Sequence, residues 1–338
     1  MLCAHPIPIA WYPDLSIYAS EAFLKSVGNE YGWLGGFDEN GKLRCVLPYT
    51  IVRKPFLRMV RFRVETIPVD GILEIEEEKQ FLNSVIRYVR KCKADLVIPA
   101  TTNTIFRTYP DQAVAAPYGS YVVDLRQSEN TLWDNLHSKH RNVIRNAKHK
   151  GVTICEGREY AQIARQLICE TLGRSKLGFM GQDEFDRALT ALGPNVKLFV
   201  AKHEGIVQGC AVIPFSNHSA YYLYGGSAAQ PLTGAMNLLQ WEAMLYFRSL
   251  GVVRYDFVGV RINPAPGSKQ EGLQKFKQRF GGQLVSGYIW KCAIHPLKYR
   301  LYCLAAHWRS GGDIVDKERH KLMDASLRAV GKVGNSTQ

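Results

Sequence analysis

The chain has 338 residues, of which 46 % are hydrophobic and 22 % charged, and it carries a formal net charge of +13. These proportions exclude a disordered or fibrous chain and leave room for two hydrophobic cores. The excess of positive charge points to a polyanionic partner such as RNA, a phosphorylated substrate or an anionic membrane surface. No apolar run reaches the roughly 18 residues that a spanning helix requires, and no basic stretch followed by an apolar core marks a leader. The eight cysteines stand singly, without a CxxC pair. That spacing argues against a zinc ribbon or a dithiol redox pair and suits a cytoplasmic location.

In chain order, residues 1–20 form an apolar leading segment and 20–31 a helix with Ala22, Phe23 and Val27 on one face. A hairpin follows, turning at Asn40-Gly41, a pair that accepts positive φ. A strand covers 59–64, a helix 76–93 with Phe81, Val85, Ile86 and Val89 at helical spacing, and a buried strand the run from Ala94 to Pro99. Residues 128–150 read as one linking helix with an apolar face of Trp133, Leu136, His140, Val143 and Ala147. Lys139, Arg141, Arg145, Lys148 and Lys150 crowd its other side, either as a solvated face or as a phosphate-contacting surface. His137 and His140 have no third ligand nearby, so no metal is expected.

The second half repeats the order of helix, hairpin, strand, helix, strand: helices at 159–173 and 183–192, strands at 196–202 and 206–215, an aromatic strand at 219–227, a helix at 234–251 and a buried strand at 252–259. We read this as duplication of one α/β module. The last helix spans 295–309, opened by Pro296, and its aromatics Tyr299, Tyr302 and Trp308 are expected to dock; residues 331–338 are expected to be disordered.

Candidate chemistry concentrates between Tyr221 and Lys291. In the helix after Glu271, Leu273, Phe276 and Phe280 share a stripe, with Lys275 and Arg279 pointing away. Lys277 stands at the edge of that stripe, where an ammonium either snorkels or meets a negative charge such as the oxyanion of an attacked ester. A GNAT-type acyl-CoA loop has the pattern Q/R-x-x-G-x-G/A. The chain offers Gln230-Pro-Leu-Thr-Gly-Ala235, with its glycine out of register and Pro231 removing a donor. Arg174, in a loop with Lys176, is a phosphate ligand or a surface charge. Arg53, Lys54, Arg58, Arg61 and Arg63 form another basic cluster, Arg61 and Arg63 sharing the strand face away from the core. No general base stands out; Asp256 and Glu242 are the candidates, the former on a buried strand that suits a structural role.

The segments at 136–152, 222–227, 241–243, 255–259 and 272–282 resemble the FemABX family in order and spacing, over roughly residues 120–292. The resemblance implies an α/β fold of two tandem GNAT-like domains with mixed sheets flanked by helices. The first would comprise 1–127 plus 295–338, the linking helix 128–150, and the second 151–294, carrying the donor site. It implies transfer of an amino acid from aminoacyl-tRNA to an amine, usually of a peptidoglycan precursor, without a further cofactor. Phe276 and Lys277 would line the donor channel, with Lys277 catalytic. Arg174, Tyr222 and Tyr224 would hold the acceptor, and Lys139, Arg141, Arg145, Lys148, Lys275 and Arg279 the tRNA. The coiled-coil arm of longer members is absent. The resemblance extends to the BioF2-like acyltransferases, so the alternative is an acyl-CoA-dependent N-acyltransferase acting on a sugar or lipid precursor. Either would be free of membrane insertion, with peripheral membrane contact allowed. A non-catalytic RNA-binding module is a third class, supported by charge alone.

Overall fold

The computed structural model describes residues 2–323, so the expected disorder of 331–338 lies outside the described residues. The first half comprises β1 (Cys3–Ile7), α1 (Glu21–Val27), β2 (Glu30–Phe37), β3 (Leu43–Lys54), β4 (Leu57–Phe62), β5 (Ile67–Pro68), α2 (Ile75–Lys91), β6 (Leu96–Val97) and β7 (Ala113–Asp124). The second half adds α3 (Glu129–Asn135), α4 (Ser138–His149), β8 (Thr153–Glu156), α5 (Ala161–Gly173), α6 (Gln182–Leu192), β9 (Val196–His203), β10 (Ile206–Pro214), β11 (Ala220–Tyr221), β12 (Tyr224–Ser227), α7 (Ala235–Ser249), β13 (Arg254–Asp256), α8 (Lys269–Gln278), β14 (Gln283–Ala293) and α9 (Pro296–Ser310).

The helices form where the apolar spacing places them. In α2, Phe81, Val85, Ile86 and Val89 are all buried, and a capping box between Glu74 and Glu77 closes its first turn. Helix α1 is shorter than the sequence pattern suggested. Ser20 caps it, Gly28 ends it in extended backbone, and the chain passes directly into β2.

Two sheets organise the molecule. A ten-stranded mixed sheet runs β1-β2-β3-β4-β6-β14-β7-β13-β11, with β5 paired to β3. A four-stranded antiparallel sheet runs β12-β10-β9-β8. The mixed α/β class with helix-flanked sheets is the one expected. Strand β14 lies between β6 and β7 and pairs with β7 over ten residues, from Gln283↔Val122 to Cys292↔Ala113. Its Trp290 and Cys292 belong to the first half's core, with Phe62, Phe81 and Phe106.

Two further elements differ from the sequence reading. The aromatic strand at 219–227 is two strands in different sheets: β11 pairs in parallel with β13, and β12 pairs with β10. The chain splays apart at Tyr222-Leu223. The linking helix is also two helices, broken at Leu136-His137. The His137 N–H donates to the Arg279 carbonyl instead of continuing α3, and the His137 ring accepts from Lys139 N–H to cap α4.

The C-terminal segment is clasped by one buried lysine. Lys291, 1 % exposed, donates to Asp313 at 2.9 Å and Asp316 at 2.6 Å. Burial works against the charge, but the two carboxylates outweigh it and hold the ammonium above the usual lysine range. Lys291→Met should therefore destabilise the fold by about 3–5 kcal/mol in denaturant titration, because two carboxylates are left without their cation.

Candidate active site

The site lies where the two sheets part. Strand β13 ends at Asp256, and the next residues turn sharply. Val258 has φ 50° and Gly259 φ 64°. A β-branched residue in the left-handed region is strained, and such strain persists only where the surroundings enforce it. Here Asp256 enforces it, its carboxylate accepting from the Val258 N–H at 2.7 Å and from the Ser120 hydroxyl. The turn presents two carbonyls in one direction, and the Lys277 ammonium donates to both, Val258 and, at 2.9 Å, Gly259.

Helix α8 delivers that ammonium. Ser268 caps it by accepting from Glu271 N–H. Its inner face is built from Phe276 and Phe280, which close on His140 of α4 and, through Phe280, on Phe257. His140 Nε2 lies 3.0 Å from the Phe276 carbonyl. Burial pushes its pKa down to about 4, so it is a neutral packing residue. Leu273, expected in the same stripe, is 49 % exposed. Phe276 and Phe280 are held by α4 and β13, whereas the first turn of α8 projects beyond them.

The Lys277 stem is half-buried and its ammonium is turned inward. Burial lowers its pKa to about 8, partly offset by the nearby Asp256 carboxylate. A lysine has three donors. Two are taken by carbonyls, which leaves one for a developing negative charge. Asp256 is pushed above the usual carboxylate range by burial, against the pull of Ser120, Val258 N–H and two cations. Glu65 is raised by burial too, with Arg254 opposing and Asp256 adding.

The first half contributes more than the sequence suggested. Arg63 lies on the face away from the core, yet is 6 % exposed, donating to Thr50 Oγ1 at 3.0 Å and the Val27 carbonyl at 2.9 Å. Burial, with Arg61 adding repulsion, lowers its pKa to about 9. Arg61 donates to the Pro99 carbonyl. Both arginines act electrostatically on Tyr224 of the second half. Tyr224 packs edge-on against Phe179, and Tyr222 against Phe257. Gly226 is required because a Cβ there would meet the Leu167 backbone carbon at 2.5 Å, where β12 crosses α5. Arg174 reaches the end of β12, donating to the Ser227 carbonyl at 3.1 Å and Oγ at 3.2 Å.

The basic surface is largely self-engaged. Arg141 donates to the Asp134 and Leu136 carbonyls, and Arg145 lies over Trp133 at 5.2 Å. Lys148 pairs with Glu242 at 2.8 Å, and Lys275 with Glu271 at 2.7 Å. That pairing engages Glu242, one of the two base candidates, with Lys148 on the neighbouring helix. Lys139 is exposed and Arg279 half-buried. The loop at the position of an acyl-CoA loop, already a poor match in sequence, is spent on packing. Gly234 has φ 91°, and a Cβ there would meet the Val143 carbonyl at 2.3 Å, so it seats α7 on α4. The Leu232 N–H is taken by Gln208.

The model of the FemAB family matches residues 202–307. That segment holds the splayed strands, the strained turn and all of α8. Over that segment the chain is similar to the FemAB family. Among curated relatives, the lipid II:glycine glycyltransferase of Staphylococcus epidermidis is 37 % identical over 82 residues, 24 % of this chain and 20 % of that protein. That of Staphylococcus haemolyticus is 37 % identical over 87 residues, 25 % and 21 % of the respective chains. The matched region thus spans about a fifth of the length of these relatives. Among solved structures, FemX superposes with a TM-score of 0.62 at 15 % identity, over 83 % of this chain and 93 % of that one. The C-terminal DUF2156 domain of an Agrobacterium fabrum protein gives 0.52 at 14 %, over 88 % and 94 %. At such identities the FemX likeness bears on the fold alone. That likeness of fold takes in the first half as well, beyond the matched segment.

Proposed function

We propose that the protein is an aminoacyltransferase that moves an amino acid from aminoacyl-tRNA to an amine of a peptidoglycan precursor or a similar acceptor. The observation that carries this reading is the Lys277 ammonium, held away from water by two carbonyls of a strained turn with one donor left over. The acceptor nitrogen attacks the ester carbonyl carbon, and the carbonyl electrons move onto oxygen. Lys277 stabilises that oxyanion. Collapse breaks the ester C–O bond and releases the ribose hydroxyl, which regains a proton, while the new amide nitrogen loses one.

Three further features support the reading. The staphylococcal relatives are glycyltransferases toward lipid II by name. A net charge of +13 suits a nucleic-acid donor. Arg174, exposed at the end of β12, would be the arginine that meets an acceptor phosphate. No helix among the described residues is long and apolar enough to cross a membrane. The reaction would run in the cytoplasm, where charged tRNA is found, with no cofactor beyond that co-substrate.

The test supplies charged tRNA or acyl-CoA in turn with a peptidoglycan precursor and follows amide product by mass spectrometry. We expect product with charged tRNA, lost after prior deacylation of the tRNA. Product from acyl-CoA alone would replace this reading with an acyl-CoA-dependent N-acyltransferase, and silence with every donor would favour a binding module.

A further inference from the structure

We propose that helix α9 and the tip of the β3–β4 hairpin form a seat for an anionic membrane surface. The observation is a continuous apolar stripe left in solvent. Leu297, Leu301, Leu304 and Trp308 follow at spacings of four, three and four, which puts them on one face of α9. They are 66 %, 63 %, 60 % and 92 % exposed. Tyr299 and Tyr302, on the opposite face, do dock as the sequence suggested, packing with Val52 and Leu57 of the hairpin. Trp308, expected to dock with them, does not; it lies on the outward stripe. The hairpin that receives α9 ends in a second exposed aromatic, Phe56, 91 % exposed and at φ 64°. Phe56 thus stands at the tip of the hairpin whose Val52 and Leu57 share a cluster with the inner face of α9.

Charge selects the occupant. Between His295 and Gly312 there is no acidic residue. Arg300 and His307 flank the stripe on one side and Arg309 on the other, and all three are exposed. Lys54 is exposed beside Phe56. A leucine stripe ending in tryptophan, bordered by cations on both sides, matches a helix lying in the headgroup plane of an anionic bilayer. A nucleic acid would have no use for three exposed leucines. Helix α9 reaches back toward the first half of the site, since Tyr302 acts electrostatically with Arg61. A bilayer seated on α9 would thus lie beside the chain's own cleft. The inference stands apart from the proposed reaction, because its readout is vesicle binding.

The test sediments the full chain with vesicles of phosphatidylcholine alone or mixed equally with phosphatidylglycerol. We expect binding only to the mixed vesicles, weakening as salt rises from about 0.05 to 0.5 M because the attraction to the headgroups is screened. Leu301→Glu/Leu304→Glu/Trp308→Glu should lose about tenfold or more of that binding, since all three side chains face the acyl boundary. Its thermal unfolding should be unchanged, because none of the three packs inward. Phe56→Glu, on the other element, should lose about threefold through its smaller buried area. Failure of the wild type to bind mixed vesicles, or equal binding by both variants, would overturn the proposal. So would a wild-type dimer in light scattering that the triple variant dissociates, because the stripe would then belong to a second copy.

Discussion

Replacing Lys277 by methionine should lower kcat by about a hundredfold or more, the cost of deleting a buried donor aimed at a developing oxyanion. The same change should leave thermal stability level or slightly raised. Burial lowers the lysine from an ordinary value of 10.5 to about 8, so the folded protein bears a cost for holding this charge. At about 1.4 kcal/mol per unit, the cost is on the order of 3 kcal/mol at neutral pH. It is present in full below the folded value and fades as pH rises through about 8 toward the unfolded value. Methionine removes it, while leaving the Val258 and Gly259 carbonyls without their donor, and the two effects oppose each other. Activity carries the opposite sign. If the ammonium is the working form, kcat should fall as pH rises through about 8. Lys277→Arg, charged throughout, should keep a reduced activity but lose that fall. A pH–kcat profile of the two proteins checks this directly, and a flat wild-type profile would remove Lys277 from the chemistry.

Gly234→Ala is expected to produce the largest loss of stability from a single added methyl. The backbone there has φ 91°, and the new carbon would meet the Val143 carbonyl at 2.3 Å. Neither the strain nor the clash with backbone relaxes without moving α7 off α4, a cost of about 2–4 kcal/mol. Chemical denaturation measures it. The outcome also separates two uses of the same glycine. If Gly234 served a donor's pyrophosphate, the variant would keep its stability and raise the donor KM.

The legible parts of the chain were those with local signals. The Asn40-Gly41 turn, the buried face of α2 and the β9–β10 hairpin follow directly from residue order. What escaped were β7 and β14, partners over ten residues. Neither alternates cleanly, and each carries a breaker, Pro117 opposite Tyr288 in one and Gly287 in the other. The glycine is there because a Cβ would meet the Phe106 carbonyl at 2.3 Å, a fact that belongs to the tertiary structure alone. The break between α3 and α4 escaped for the same reason, since the Arg279 carbonyl that takes the His137 N–H lies far along the chain.

Lys277 was legible as an anomaly, an ammonium at the rim of an apolar stripe. The two carbonyls that hold it were not, because they exist only once Asp256 forces Val258 into positive φ. Arg63 stood on a strand face that promised solvent. Thr50 and the Val27 carbonyl take its guanidinium instead, and contacts made so far along the chain leave no local mark.

The position of β14 has a consequence for synthesis. Until residue 293 has left the ribosome, β6 and β7 cannot be bridged, and the first half waits with an open slot through its middle. Everything from β8 to α8 must be translated in the meantime. Nascent chains would therefore spend about half of their elongation with two unpaired strand flanks, the condition under which chaperone capture and mispairing compete with folding.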